Sequence, residues 1–213
     1  MSEPVLPLPG FRLLPEHLNR TAQAALIETV VAAAKIAPFW RPAMPRSGQP
    51  LSVKMTNFGR LGWVTDKEGG YRYEPVHPLT GEPWPPIPPV LLDLWAQLSG
   101  YCAPPEACLV NWYGPDSRMG LHVDWDEEAA DAAVVSVSLG DKARFRVGGT
   151  TRRGKTASMV LSSGDVVVLG GAARRSYHGV DRIYPGTSTL LPDEVFPGGG
   201  RINLTMRRVT LPG

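Results

Sequence analysis

Cysteine is nearly absent from this chain: Cys102 and Cys108 are the only two among 213 residues. That excludes a disulfide framework, and two thiols close in sequence fit a reducing compartment. Long apolar runs are also missing, since no stretch approaches the roughly 20 residues that cross a bilayer. The opening residues carry no basic segment followed by an apolar run. The expectation is a soluble, cytoplasmic chain that makes no membrane contact. Charge of one sign is scarce too. Lys and Arg number 22 against 20 Asp and Glu, a net charge of +2, which is too mild to announce a nucleic-acid binder by itself. The chain holds no internal repeat, P-loop, dinucleotide glycine fingerprint or Cys-x-x-Cys pair, so the chemistries those motifs carry have no foothold.

Histidine is scarce as well, with His17, His77, His122 and His178, and here scarcity is informative. Leu121-His122-Val123-Asp124-Trp125-Asp126 sets a histidine and a carboxylate two residues apart, and His178 follows further along. On a strand, residues i and i+2 face the same way, so His122 and Asp124 could share one metal. Two histidines and a carboxylate form the facial triad that holds non-heme Fe(II) with positions left open. Alone, a His-x-Asp pair reads equally as a surface pair, and His178 as a hydrogen-bonded core histidine.

The second signal lies near the C-terminus. Arg201-Ile202-Asn203-Leu204-Thr205-Met206-Arg207 alternates polar and apolar residues with period two, the pattern of a strand with one face on an apolar core. The polar face either meets solvent or points inward, where a buried guanidinium needs an anionic partner such as a dicarboxylate.

Together, His122-x-Asp124, His178 and Arg201-x-Asn203-x-x-x-Arg207 resemble the AlkB type of iron(II)- and 2-oxoglutarate-dependent dioxygenase, the alkylated-nucleic-acid repair demethylases. Asn111-Trp112-Tyr113 is similar to that family's Asn-x-Tyr element, and the resemblance runs from about Leu51 to Arg208. It implies a mainly β (α+β) fold, a double-stranded β-helix (jelly-roll) core with N-terminal helices and a nucleotide-recognition lid. It implies Fe(2+) on His122, Asp124 and His178, with 2-oxoglutarate and O2 as co-substrates. Arg201 would meet the far carboxylate of 2-oxoglutarate and Arg207 its chelating end, supported by Asn111, Tyr113 and Asn203. In the lid, Met55, Trp63 and Tyr71 would hold an extruded base, Trp63 by stacking. Asp126 would favour the positive charge of N1-methyladenine or N3-methylcytosine, and Arg152 would sit near substrate. The implied activity is oxidative demethylation of such bases in single- or double-stranded DNA, with RNA as a second candidate. Succinate and formaldehyde would be its products. A dioxygenase acting on RNA only, on protein or on a small molecule is the alternative, and a non-catalytic binding module a third reading.

In chain order, 213 residues suit one domain, with an N-terminal arm and buttress helix in 1–50, the lid and a supporting helix in 51–100, and the β-helix core in 101–213. An extended Pro-rich arm is expected to about residue 14, then a helix from Pro15 to about Ile36 on the stripe Ala24, Ala25, Ile27, Val30, Val31 and Ala34. Short strands are expected over 51–58, 61–65 and 71–73, and a helix over 90–98. Further strands are expected over 107–113, 119–124, 134–139, 143–147, 157–161, 166–169 and 201–209. Arg144, Arg146, Arg152, Arg153 and Lys155, with Arg174 and Arg175, form a candidate phosphate-binding surface. Gly179 is expected to let the backbone pass close to the metal. A monomer is the default expectation.

Overall fold

Every residue of β12 (Arg201–Arg207) is buried, yet alternate side chains enter different layers. Ile202, Leu204 and Met206 join the core under the helices. Arg201, Asn203, Thr205 and Arg207 line an internal cavity. Between the two readings of this strand's polar face, the inward one holds, because a second, four-stranded sheet faces that side and encloses the cavity.

The computed structural model describes residues 8–212. Besides β12 it comprises α1 (Arg20–Ala33), α2 (Pro89–Leu98), β1 (Phe11–Leu14), β2 (Lys54–Gly59), β3 (Gly62–Asp66), β4 (Gly70–Glu74), β5 (Ala107–Tyr113), β6 (Met119–His122), β7 (Val134–Gly140), β8 (Lys142–Gly148), β9 (Thr156–Leu161), β10 (Val166–Leu169) and β11 (His178–Tyr184). The larger sheet runs β1-β10-β7-β12-β5-β2 and the smaller β6-β11-β8-β9, while β3 and β4 form a separate hairpin. Leu109, Val134 and Val167 of the larger sheet meet Phe145, Leu161 and Val180 of the smaller in one apolar layer. On the far side of the larger sheet, Leu26, Ile27 and Val30 of α1 and Leu91 and Trp95 of α2 pack on Val110, Val137 and Leu204. Two facing antiparallel sheets backed by helices make the jelly-roll core that the resemblance implied.

Several boundaries differ from expectation. The first helix starts at Arg20, because Asn19 caps it by accepting from the Ala22 amide, and its C-cap is Ala34. Residues 11–14 of the expected arm pair with β10 as a sheet edge, Phe11 opposite Leu169; residues 1–7 of the arm lie outside the described residues. The strand expected from Leu51 begins at Lys54 and joins the larger sheet beside β5. No helix among the described residues is long and apolar enough to cross a membrane.

Candidate active site

His122 closes β6 and His178 opens β11, where the two are direct cross-strand partners with ring centroids 4.5 Å apart. Gly179 follows. A Cβ there would meet Met119 O at 2.6 Å, so the glycine serves the close approach of β11 to β6 that brings the two histidines together. Each histidine is oriented from behind. His122 Nδ1 donates to Gly120 O and His178 Nδ1 to Ser176 O, both at 3.0 Å. A carbonyl can only accept, so Nδ1 carries the proton and each Nε2 keeps its lone pair for another partner.

Asp124 reaches the same point by a different route from the one its spacing suggested. β6 ends at His122 and Asp124 lies in the loop beyond it, so strand alternation does not aim it. Arg207 does, with Nη2 2.8 Å from Asp124 Oδ1. Arg174 Nη1 and Arg175 Nη1 hold the Asp124 carbonyl at 3.2 and 3.0 Å. Oδ2 is buried with no hydrogen-bond partner. His178 Nε2 stands 3.8 Å from Oδ2 and His122 Nε2 3.8 Å from Oδ1, and one ligand atom from each of the three residues falls within 4.8 Å of the others. Two imidazole lone pairs and one orphaned carboxylate oxygen are the donor set of a facial Fe(II) site.

Protonation agrees with that chemistry. Burial, with His122 alongside, pushes His178 from 6.5 down to about 4. Burial would raise the Asp124 carboxyl, but Arg207, His178, His122 and Arg174 outweigh it and hold the group far below the carboxylate range. Because the folded pKa of His178 lies below its unfolded value, the metal-free protein should lose stability as pH falls from 6.5 towards 4. The loss from this group is about 1.4 kcal/mol per pH unit in that window. Urea titrations of the metal-free wild type and His178→Ala check this. The slope should be smaller in the variant, and equal slopes would refute it.

Behind the triad lies a buried network. Glu127 Oε1 accepts from Arg207 Nη1 at 2.8 Å and from the Tyr73 hydroxyl at 2.5 Å, and Oε2 accepts from Arg174 Nη2 at 2.9 Å. Two arginines thus balance two carboxylates, with Arg207 shared between Asp124 and Glu127. Arg201 is treated differently. It is 2% exposed, its Nη2 donates to Ser138 Oγ at 2.8 Å, and its Nε and Nη1 have no partner. No carboxylate pairs with it among the described residues, and burial lowers its pKa. The Tyr113 ring lies beside it at 5.6 Å. Asn111 Oδ1 is also unpartnered, whereas both Asn203 amide hydrogens are taken by Ser136 Oγ and Val137 O at 2.6 and 3.1 Å.

Arg201, Asn111, Tyr113, Asn203, Arg207 and the triad line one cavity of about 890 Å³ that extends to the β3-β4 hairpin. At its mouth Trp63 and Tyr71 stack at 5.5 Å and 22°, and Trp63 Nε1 donates to Asp126 Oδ2 at 2.9 Å. Met55 and Arg152 line the same cavity. All thirteen residues singled out as site residues therefore converge on this cavity.

Residues 10–207 match the family described as the 2OG-Fe(II) oxygenase superfamily. The alpha-ketoglutarate-dependent dioxygenase AlkB homolog of Caulobacter vibrioides (strain NA1000 / CB15N) is 51% identical over 98% of this chain and 91% of its own. The chain belongs to the AlkB family. The alpha-ketoglutarate-dependent dioxygenase AlkB of Escherichia coli (strain K12) is 38% identical over 95% of this chain and 92% of its own. The solved structure of OsALKBH1 superimposes with a TM-score of 0.72 at 30% identity, covering 93% of this chain and 98% of that one. This AlkB-family oxygenase thus carries the triad, and the fold around it, that its sequence announced.

Sequence reasoning missed four residues around that triad. Tyr73 and Glu127 went unnoticed, the second inside an acidic run, and so did Ser138, the partner of Arg201. Arg174 was placed among phosphate contacts, but it is 2% exposed and paired with Glu127, so it cannot serve there. Arg146 pairs with Asp181 at 3.0 Å, while Arg144, Arg152, Arg153 and Lys155 are exposed.

Proposed function

We propose that this oxygenase removes N-alkyl groups from nucleobases, with N1-methyladenine and N3-methylcytosine in DNA as its first substrates. The observation that carries the reading is the mouth of the cavity. There the Trp63 indole donates to Asp126, and together they place an aromatic face and a carboxylate side by side above the triad. A methylated, cationic base is planar and positively charged, so it matches both at once.

Iron on His122, Asp124 and His178, with 2-oxoglutarate and dioxygen bound, would supply the power to hydroxylate an N-methyl carbon while 2-oxoglutarate becomes succinate. The chain does the rest. Arg201 binds the far carboxylate with donors left unpaired on its guanidinium, where Nε and Nη1 have no other partner. Arg207 holds Oδ1 of Asp124 and so leaves Oδ2 for the metal. Tyr113 and Asn111 flank the co-substrate, and Asn203 braces Ser136 and Val137 behind it. Tyr71 covers one face of Trp63, which leaves the other for the base. The hydroxymethyl product breaks its C–N bond and releases formaldehyde. Exposed Arg144, Arg152, Arg153 and Lys155 are the candidates for phosphate contacts.

Anaerobic reconstitution with Fe(II) and 2-oxoglutarate, then air and an oligonucleotide carrying one N1-methyladenine, tests the reading by mass spectrometry. The wild type should lose the methyl group and His178→Ala should not. Succinate formed with an unchanged oligonucleotide would send the activity to another substrate. Asp126→Asn keeps an acceptor for the Trp63 indole but removes the charge. It should lower kcat/KM on cationic bases by roughly fivefold or more, the scale of a charge pair near 4 Å at a wet surface, and on neutral ethenoadenine by less. Equal losses would remove the charge argument.

A further inference from the structure

Trp125 has no part in the site as described, yet it is 63% exposed and lines the same cavity. Single exposed aromatics are ordinary on protein surfaces, but this one is held in place. The Arg175 guanidinium lies 4.1 Å over its ring, and Arg175 is itself fixed by donating to Asp124 O at 3.0 Å. The chain on either side is pinned as well, Asp124 by Arg207 at 2.8 Å and Asp126 by the Trp63 indole at 2.9 Å. One face of the indole is covered by a cation, and its exposure leaves the other to solvent, in the cavity that Trp63 and Tyr71 also line. A side chain whose order is already secured loses little entropy when a flat ligand settles on it.

We infer that the open face of Trp125 is a stacking platform for the nucleobase adjoining the one under repair. This rests on the reading of the protein as a nucleobase demethylase. The platform suits a neutral base better than a second cation, because Arg175 already occupies the attractive field of the ring from behind. It does not depend on which base is presented, since every base offers a π-face. The enzyme therefore binds its target as part of at least a dinucleotide, with Trp63 taking one base and Trp125 the next.

The test uses fluorescein-labelled trinucleotides with a central N1-methyladenine, flanked either by adenines or by abasic sites. Binding to the anaerobic Fe(II) and 2-oxoglutarate holoenzyme is read by fluorescence anisotropy. In the wild type, abasic flanks should weaken binding by about tenfold, the scale of one base stacked on an aromatic side chain. In Trp125→Ala that ratio should fall to near one, and in Trp125→Phe most of it should return. A wild-type ratio near one, or a Trp125→Ala ratio equal to that of the wild type, would overturn the platform. If the wild type removes the methyl group from both trinucleotides yet does not discriminate flanks, the platform alone falls. If it neither binds nor demethylates either, the demethylase reading falls and takes the platform with it.

Discussion

Replacing Arg201 by Met is expected to weaken 2-oxoglutarate binding by about a hundredfold or more while raising the stability of the ligand-free protein. Removing one member of a buried, hydrogen-bonded charge pair costs about 2–5 kcal/mol of binding, and Arg201 is the buried guanidinium that lacks a carboxylate in this cavity. Without its ligand, the same group is a burden. It is held out of water with Nε and Nη1 unpaired, and a shorter, unbranched thioether removes that cost. Against this stands the bond to Ser138, worth about 1 kcal/mol. Swapping buried charge for apolar volume gains about 1–4 kcal/mol in other proteins, which for a domain of this size raises Tm by several degrees, at about 2–4 °C per kcal/mol. Calorimetric titration with 2-oxoglutarate and thermal melts of the ligand-free variant measure both halves. A lower Tm together with near-normal affinity would mean that Arg201 is a structural residue whose cost is met elsewhere.

The same strand explains what a sequence can and cannot disclose here. Alternation along 201–207 separated its two faces correctly, because period two is a property of the strand itself. Whether the polar face met water or a cavity depended on what lies over it, and that is the smaller sheet, whose strands β8, β9 and β11 come from elsewhere in the chain. β5 was read to the residue, Ala107–Tyr113, since a buried strand bounded by proline and glycine has little freedom at its ends. α1 was read too long at both ends, although Asn19 was a visible capping residue; Pro15 offered a competing start. The triad was legible as a set of residue types, but the reason given for His122 and Asp124 meeting was wrong, because the strand stops between them. Glu127 was invisible in principle: its partners Arg174 and Arg207 lie 47 and 80 residues away, and nothing local distinguishes it from the exposed Glu128 beside it.

Glu127 carries the second large expectation. Glu127→Ala should destabilise the metal-free protein by about 3–5 kcal/mol, the cost of breaking a buried ion pair from one side. Arg174, 2% exposed, would keep only backbone carbonyls as acceptors, and the Tyr73 hydroxyl would lose its 2.5 Å bond. The effect should also reach the metal. With Glu127 in place, Arg207 gives Nη1 to Glu127 and Nη2 to Asp124 Oδ1. Freed from Glu127, Arg207 can turn both donors onto Asp124 as a fork and compete for the Oδ2 that the triad needs. Fe(II) affinity should therefore fall along with stability. Tyr73→Phe is the companion variant, since it removes the hydroxyl, with its bond to Glu127 and the longer 3.3 Å one from Arg207, but leaves the charges alone. It should cost about 1 kcal/mol and leave iron binding near the wild-type value. Urea titration gives the first quantity, and Fe(II) titration in the cold, where both variants are folded, gives the second. If Glu127→Ala loses less than Tyr73→Phe, or binds iron as the wild type does, the carboxylate does not hold Arg207 in its shared position, and the aim of Asp124 must come from the Arg174 and Arg175 contacts to its backbone.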